Sequence, residues 1–183
     1  MMRPMHASEF KLHPFHATPG GSAIAIQGSL SRDGGRLRLA YRLTGALWGV
    51  SIAPPATSSE RRHELWKETC FECFVQPAGS TAYWELNLSP AGHWNLYRFD
   101  AYRRGMREES AIAQTPFAVQ READRMDLVT AFDLDALGIG AAVLAIGLTA
   151  VIRAPDGRLD YWALVHPDTK PDFHHPKSFV LAL

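Results

Sequence analysis

Apolar residues in this sequence recur at every second position rather than at helical spacing, and this periodicity restricts the possible folds. Residues 36–44 read RLRLAYRLT, which places three leucines and Tyr41 on one face and mostly arginines on the other. Such alternation is typical of a half-buried strand. No window longer than about ten residues keeps a helical period, so the alternating strands and helices of a parallel sheet are not expected.

Turn-forming residues such as Asp33, Gly34 and Gly35 separate these segments from one another. The pattern predicts an all-β fold, an antiparallel β-sandwich of the immunoglobulin or jelly-roll type with about ten strands. The predicted strands are residues 22–30, 36–44, 48–53, 69–76, 82–88, 94–100, 117–120, 126–132, 142–152, 158–164 and 178–183.

A chain of 183 residues fits one domain. We expect the sandwich to span residues 21–183, preceded by an N-terminal extension, residues 1–20, that packs on it or flanks it. Residues 100–114 and 166–176 are the longest predicted connections. Long ordered loops on a sheet scaffold are where binding residues tend to lie.

Charge and hydropathy indicate neither nucleic acid nor membrane as a partner. Lys and Arg number 19, as do Asp and Glu, so no net field attracts an anionic surface. The longest apolar stretch, residues 141–152, is too short to span a bilayer, and the first residues contain no signal-peptide core. The expected location is therefore the cytoplasm, where thiols stay reduced.

The two cysteines are spaced as C-x-x-C within LWKETCFECFVQP, residues 65–77. A redox pair normally opens a helix and a zinc pair lies in a tight turn, but these cysteines lie in a β-branched and aromatic run. Side chains three positions apart on a strand point to opposite faces, so Cys70 and Cys73 should diverge, with Cys73 in the core. We predict neither a disulfide nor a metal site here.

Pairing this strand with the next two as a meander predicts one apolar face and one polar, aromatic face. The predicted register places Glu72 opposite Glu85, Phe74 opposite Tyr83 and Cys70 opposite Asn87, with Tyr97 beside Glu85 and Asn95 beside Asn87. The predicted core face is Phe71, Cys73, Val75, Trp84, Leu86, Leu88, Trp94 and Leu96; the tryptophans at 48, 84 and 94 are all interpreted as core.

The polar face is unusual because it sets two carboxylates opposite each other. Such a pair is destabilising by up to about 1 kcal/mol, so it needs a cation, hydrogen-bond donors or a ligand. Arg38 and Arg42 are candidate partners. Carboxylates and amides interleaved with aromatic rings also suit sugars, because the oxygens and amides take hydroxyls and the rings cover the C–H face.

The chain resembles the DOMON-like superfamily, which includes family 9 carbohydrate-binding modules. The resemblance rests on LWKETCFECFVQP at residues 65–77, YWELNLSPAG at 83–92, the pair Tyr161-Trp162 on a late strand, and a final strand at 178–183. It implies a β-sandwich whose relatives bind either sugars or haem.

For the sugar-binding relatives, the resemblance implies that Trp66 and Trp162 stack on a sugar ring and that Glu72 accepts hydrogen bonds from its hydroxyls. Glu85 and Asn87 would add further polar contacts. We therefore expect a non-catalytic domain that binds a carbohydrate or another small polar ligand, without a cofactor or a metal.

Alternative functions remain open on the sequence alone. A cytoplasmic protein-interaction domain predicts a flat apolar patch, and a glycosidase-like enzyme using Glu72 and Glu85 predicts a deep pocket with one raised carboxyl pKa. Haem binding would need an axial pair such as Met106 and His63. The histidines at 166, 174 and 175 share one loop but match no zinc signature.

Overall fold

The computed structural model describes residues 6–16 and 23–183, and these contain thirteen strands. The strands are β1 (His6–Lys11), β2 (His13–Pro14), β3 (Ile24–Asp33), β4 (Arg36–Gly45), β5 (Cys70–Pro77), β6 (Tyr83–Leu88), β7 (Trp94–Phe99), β8 (Arg107–Glu108), β9 (Phe117–Arg121), β10 (Arg125–Asp133), β11 (Leu144–Arg153), β12 (Leu159–Ala163) and β13 (Leu181–Ala182). They form two antiparallel sheets, which confirms the predicted all-β sandwich. Within the described ranges, no helix is long and apolar enough to cross a membrane.

The five-stranded sheet has the order β1-β3-β4-β10-β9 and the larger sheet the order β2-β12-β11-β5-β6-β7-β8. One edge of β11 pairs with β5, and the other is shared, because β12 pairs with residues 149–153 and β13 with residues 145 and 146. The short strands β1 and β2 belong to the predicted N-terminal extension, and each pairs with a different sheet. The predicted boundary at residue 20 lies outside the described residues.

The strand β4 shows the alternation that its sequence predicts. Leu37, Leu39, Tyr41 and Leu43 are buried between the sheets, and the arginines at 36, 38 and 42 are exposed. Gly34, with φ of 58°, makes the turn between β3 and β4 in a region that side chains with a Cβ rarely adopt. Each buried leucine contributes about 1.5–3 kcal/mol, so this strand anchors its sheet to the core.

Two of the three tryptophans interpreted as core are confirmed. Trp84 and Trp94 are buried between the sheets, but the prediction for Trp48 is wrong, because its side chain is 86% exposed. Residues 48–53 form no strand; Leu47–Gly49 is a 3₁₀ turn in which Leu47 takes the buried place. A single turn cannot bury two successive side chains against the same surface, and the larger one points outward.

The strands β5, β6 and β7 are buried on both faces. The face predicted as core packs between the sheets, and the other face carries a second cluster that includes Phe74, Tyr83, Tyr97 and Phe99. Arg103 and Met106 from one connection, and Phe173, His174 and Phe179 from another, lie over this outer face. Continuous burial explains why these strands lack an exposed polar face.

The predicted register between β6 and β7 is confirmed, whereas that between β5 and β6 is wrong by two residues. Glu72 pairs with Asn87, and Phe74 with Glu85. The connection between these strands, residues 78–82, is longer than a tight hairpin, and within it Ala78 donates its N–H to Val143 O at 2.8 Å. A shift of two keeps every side chain on its predicted face but makes Glu72 and Glu85 diagonal neighbours.

The two cysteines diverge as predicted. Cys73 lies in the core between the sheets, while Cys70 lies on the outer face with its Sγ 3.5 Å from Asn87 Oδ1. Both are free thiols and fully buried. Burial raises the pKa of each thiol, so neither forms the reactive thiolate near neutral pH.

We expect neither cysteine to react with a disulfide reagent such as Ellman's reagent in the folded protein. In denaturant both thiols should react, because unfolding returns their pKa values to the ordinary range. The absorbance of the thiolate that the reagent releases measures how many cysteines have reacted. A thiol that titrates rapidly under native conditions would contradict the burial of this strand.

Candidate ligand-binding site

A cavity of about 530 Å³ opens on the outer face of the eight-stranded sheet. Its volume is within the range of small-molecule sites, roughly 300–1,000 Å³. Strands contribute Glu72, Glu85, Val151, Leu159 and Tyr161 to its lining. The long connections contribute Arg103, Met106, Pro171, Phe173 and His174.

Glu72 lies on β5 and lines the cavity although it is only 2% exposed. Thr149 Oγ1 donates to its Oε2 at 3.2 Å, whereas the buried Oε1 has no hydrogen-bond partner among the described residues. Burial, with the charge of Glu85, raises the pKa of Glu72 well above its ordinary value. An unpaired buried polar group costs about 1–3 kcal/mol, so this oxygen favours a ligand that donates to it.

Glu85 lies on β6 and is 4% exposed. Asn87 Nδ2 donates to its Oε1 at 2.8 Å. Burial raises the pKa of Glu85 to about 7, although the Asn87 hydrogen bond and the charge of Arg103 act in the opposite direction. The charge of the cavity therefore changes near neutral pH.

His174 covers Glu85 from the second long connection. Its Nε2 lies 3.7 Å from Glu85 Oε2, which is too long for a hydrogen bond, and its Nδ1 lies 2.8 Å from the Tyr83 hydroxyl. Burial, helped by the positive charge of Arg103, lowers the pKa of His174 to about 4. The imidazole is therefore neutral near pH 7 and does not neutralise Glu85.

Asp172 fastens the two long connections together. Its buried carboxylate accepts hydrogen bonds from the Tyr102 hydroxyl, from Arg103 Nη2 at 2.7 Å and from the backbone N–H of His174 at 3.2 Å. Burial acts to raise the pKa of Asp172, but the Tyr102 and Arg103 hydrogen bonds outweigh it and the pKa is lowered. This ionised group fixes the position of His174.

Two residues beside the cavity have strained backbone conformations. Arg103 has φ of 52° and Glu64 has φ of 60°, and they are the non-glycine residues with positive φ in the described part of the chain. Glu64 precedes the 3₁₀ turn Leu65–Lys67, which carries Trp66. Such conformations cost about 1–3 kcal/mol each and cluster at functional sites.

Trp66 lines the cavity, as the prediction of a binding tryptophan requires. It is half-buried and its ring packs edge-on against Tyr97, with ring centroids 5.7 Å apart. One part of the indole is therefore supported by the sheet, and another part is accessible from the cavity.

The structure does not bring Trp162 to this cavity. On β12, Trp162 pairs with Ala150 and points into the core between the sheets, where it is 4% exposed. It lines a different cavity, of about 630 Å³, which Trp48 also lines. Tyr161, paired with Val151, lies on the cavity side instead, because neighbouring strand residues point to opposite faces.

Asn87 contacts the site through Glu85 rather than through the cavity itself. It is fully buried, does not line the cavity and donates to Glu85. The predicted arginine partners are also absent from the site, because Arg38 and Arg42 lie on the exposed face of the five-stranded sheet, where Arg42 pairs with Asp127 at 2.7 Å. Neither arginine can neutralise Glu72 across the core.

The structure does not support the metal-site or haem-site alternatives, which depend on histidine ligands. In the part of the chain that the structure describes, no three His, Cys, Asp or Glu side chains cluster closely enough to hold a metal ion. Met106 lines the cavity, while His63 contacts Tyr97 and Glu108. This arrangement does not indicate an axial pair for haem.

No protein-family model matches the sequence, and no curated protein matches it. Solved structures do match. One is described as a carbohydrate-binding protein of Bacteroides uniformis ATCC 8492, with a TM-score of 0.65 and 15% identity over 93% of this chain and 84% of that chain.

A family 9 carbohydrate-binding module of Caldicellulosiruptor kristjanssonii also matches, with 8% identity over 81% of this chain. Its glucose complex gives a TM-score of 0.50 with 70% of that chain covered, and its cellotriose complex gives 0.51 with 69% covered. At these identities the likeness establishes a shared fold. The chain thus has the β-sandwich fold of proteins described as carbohydrate-binding.

Proposed function

We propose that this chain is a non-catalytic carbohydrate-binding domain of the DOMON-like type, related to family 9 modules, and that the sugar binds over Glu72 and Glu85. The observation that carries the proposal is Glu72, which lines an open cavity and whose buried Oε1 has no hydrogen-bond donor among the described residues. The shared fold with carbohydrate-binding proteins supports it.

The chemistry of the lining fits a pyranose ring. Hydroxyl groups of the sugar donate to the carboxyl oxygens of Glu72 and Glu85. Trp66 and Tyr161 offer aromatic faces for the C–H surface of the ring, so Tyr161 replaces Trp162 as the proposed second aromatic contact. The cavity is concave, whereas a protein-interaction surface would be flatter and more extended.

A second candidate function is a glycosidase-like hydrolase, favoured by the pKa of Glu85 near 7. Retaining hydrolysis needs one ionised nucleophile beside one protonated acid. Here burial raises the pKa of both carboxyls, so the environment does not separate their roles. This common direction of the shifts favours binding over catalysis.

Isothermal titration calorimetry with a panel of mono- and oligosaccharides tests the proposal. We expect saturable binding that Trp66→Ala and Tyr161→Ala each weaken by about tenfold, which corresponds to about 1.4 kcal/mol, because each removes an aromatic contact with the sugar ring. Trp48→Ala is the matched control, since this tryptophan is exposed and lies outside the cavity.

No heat of binding at millimolar concentration for any saccharide would contradict carbohydrate binding for that panel. Binding that Trp66→Ala leaves unchanged would place the sugar elsewhere. Hydrolysis of an aryl glycoside that Glu85→Gln abolishes would favour the hydrolase instead.

A further inference from the structure

The carboxyl oxygens in the cavity have more acceptor capacity than the protein satisfies. Thr149 donates to one oxygen of Glu72 and Asn87 to one oxygen of Glu85. Glu72 Oε1 has no partner in the described ranges, and the nearest ion-pair contact of Glu85 Oε2 is His174 Nε2 at 3.7 Å. Each of these two cavity-lining carboxyls thus has one oxygen without a hydrogen bond from the described residues.

Neither positively charged residue in the cavity lining contacts the carboxyl of Glu72 or Glu85. Lys67 lines the cavity, but its ammonium pairs with Glu64 at 2.7 Å, and Arg103 Nη2 pairs with Asp172 at 2.7 Å. Arg103 acts on Glu85 only as a more distant charge. No cation of the described residues forms a hydrogen bond or ion pair with Glu72.

The remaining titratable neighbours are neutral near pH 7. Burial lowers the pKa of His174 to about 4 and raises that of Tyr83 and Tyr97 to about 12. Cys70, beside Asn87, is a buried thiol whose pKa burial also raises. Where either carboxyl is ionised, a compensating positive charge in direct contact therefore has to come from the ligand.

We propose that the ligand of this cavity is an amino sugar, whose protonated amine lies over Glu72 and Glu85 while its ring contacts Trp66 and Tyr161. This inference rests on the proposed carbohydrate function. A hydroxyl brings one donor and no charge, whereas an ammonium brings three donors and the missing positive charge. The unpartnered Glu72 Oε1 is the acceptor that most needs such a donor.

Calorimetry at pH 7 with matched pairs of hexoses tests the inference: glucosamine against glucose, galactosamine against galactose and mannosamine against mannose. The N-acetylated form of each amino sugar serves as its neutral derivative. We expect at least one amino sugar to bind about tenfold tighter than both its parent hexose and its acetylated form, since charge-assisted hydrogen bonds are stronger. Glu72→Gln should remove this preference, whereas Glu68→Gln, an exposed carboxylate outside the cavity, should retain it.

The wild-type protein gives a second readout that does not depend on a variant. Between pH 5 and 7, affinity for the amino sugar should rise by about tenfold or more, with protons released on binding, as the carboxyls ionise. Affinity for the neutral hexose should not rise. Equal or tighter binding of the neutral hexoses would overturn the amino-sugar inference and leave the carbohydrate proposal standing. Absence of binding by every sugar would overturn both.

Discussion

Replacing Glu85 with glutamine should make the ligand-free protein more stable than the wild type at pH 8, and by a much smaller margin at pH 5. Burial raises the pKa of Glu85 from its ordinary value of 4.5 to about 7. Because each pKa unit corresponds to about 1.4 kcal/mol, the expected difference in unfolding free energy at pH 8 is roughly 3 kcal/mol.

The sign follows from which state binds the proton more tightly. Below pH 4.5 Glu85 is protonated in both the folded and the unfolded state, and its full contribution to stability is present. Between pH 4.5 and 7 the unfolded state ionises this carboxyl while the folded state keeps it protonated, so the contribution falls with rising pH and is lost once the pH has passed the folded-state pKa of about 7. Glutamine has a similar shape, keeps an oxygen for the Asn87 hydrogen bond and carries no charge.

Urea unfolding followed from pH 5 to 8 measures this difference. Glu68→Gln is the matched control, because Glu68 is exposed and pairs with Arg153 at 2.7 Å. Its difference from the wild type should stay within about 0.5 kcal/mol over the same range. Parallel stability curves for Glu85→Gln and the wild type would contradict the burial of Glu85 as an uncompensated carboxyl.

Replacing Asp172 with alanine should destabilise the protein by about 2–4 kcal/mol and remove ligand binding. The substitution leaves the partners of a buried carboxylate unsatisfied and releases Arg103 and the backbone of His174. Since Asp172 joins the two long connections, we expect both to lose their position over the cavity.

The effect should depend on pH in the opposite sense to that of Glu85. The pKa of Asp172 is lowered, so its contribution is present above its ordinary pKa of 3.8 and is lost as the pH falls through the lower folded-state value. Chemical unfolding of the wild type and of Asp172→Ala at pH 7 and in acid measures the destabilisation and its loss at low pH. Asp168→Ala on the same connection is the control, because exposed Asp168 bonds to Thr169 and to no other residue in the described ranges.

Local alternation in the sequence predicts much of the fold, because side-chain parity on a strand is a local property. Leu37 and Leu39 on β4 and the two faces of β5 to β7 lie as predicted. The β5–β6 register differs from the prediction by two residues, and the connection between these strands makes a contact with a residue distant in sequence, from Ala78 N–H to Val143 O. Periodicity contains no information about such a contact.

The site itself was only partly predictable. Trp66, Glu72 and Glu85 meet at the cavity, but Trp162 does not. Because neighbouring residues on a strand point to opposite faces, one of Tyr161 and Trp162 on β12 had to face the core. The sequence pattern does not indicate which of the two does so. Arg103 and Asp172 had no local signal, since their roles arise when two long connections meet.

The proposed function requires a sugar to lie over the two buried carboxyls, and a crystal structure after soaking with the saccharide panel at millimolar concentration tests this most directly. We predict a sugar bound with a hydroxyl or amine within hydrogen-bond distance of Glu72 Oε1 and its ring against Trp66. A cavity free of sugar in every soak, or a sugar bound only in the cavity lined by Trp48 and Trp162, would contradict it.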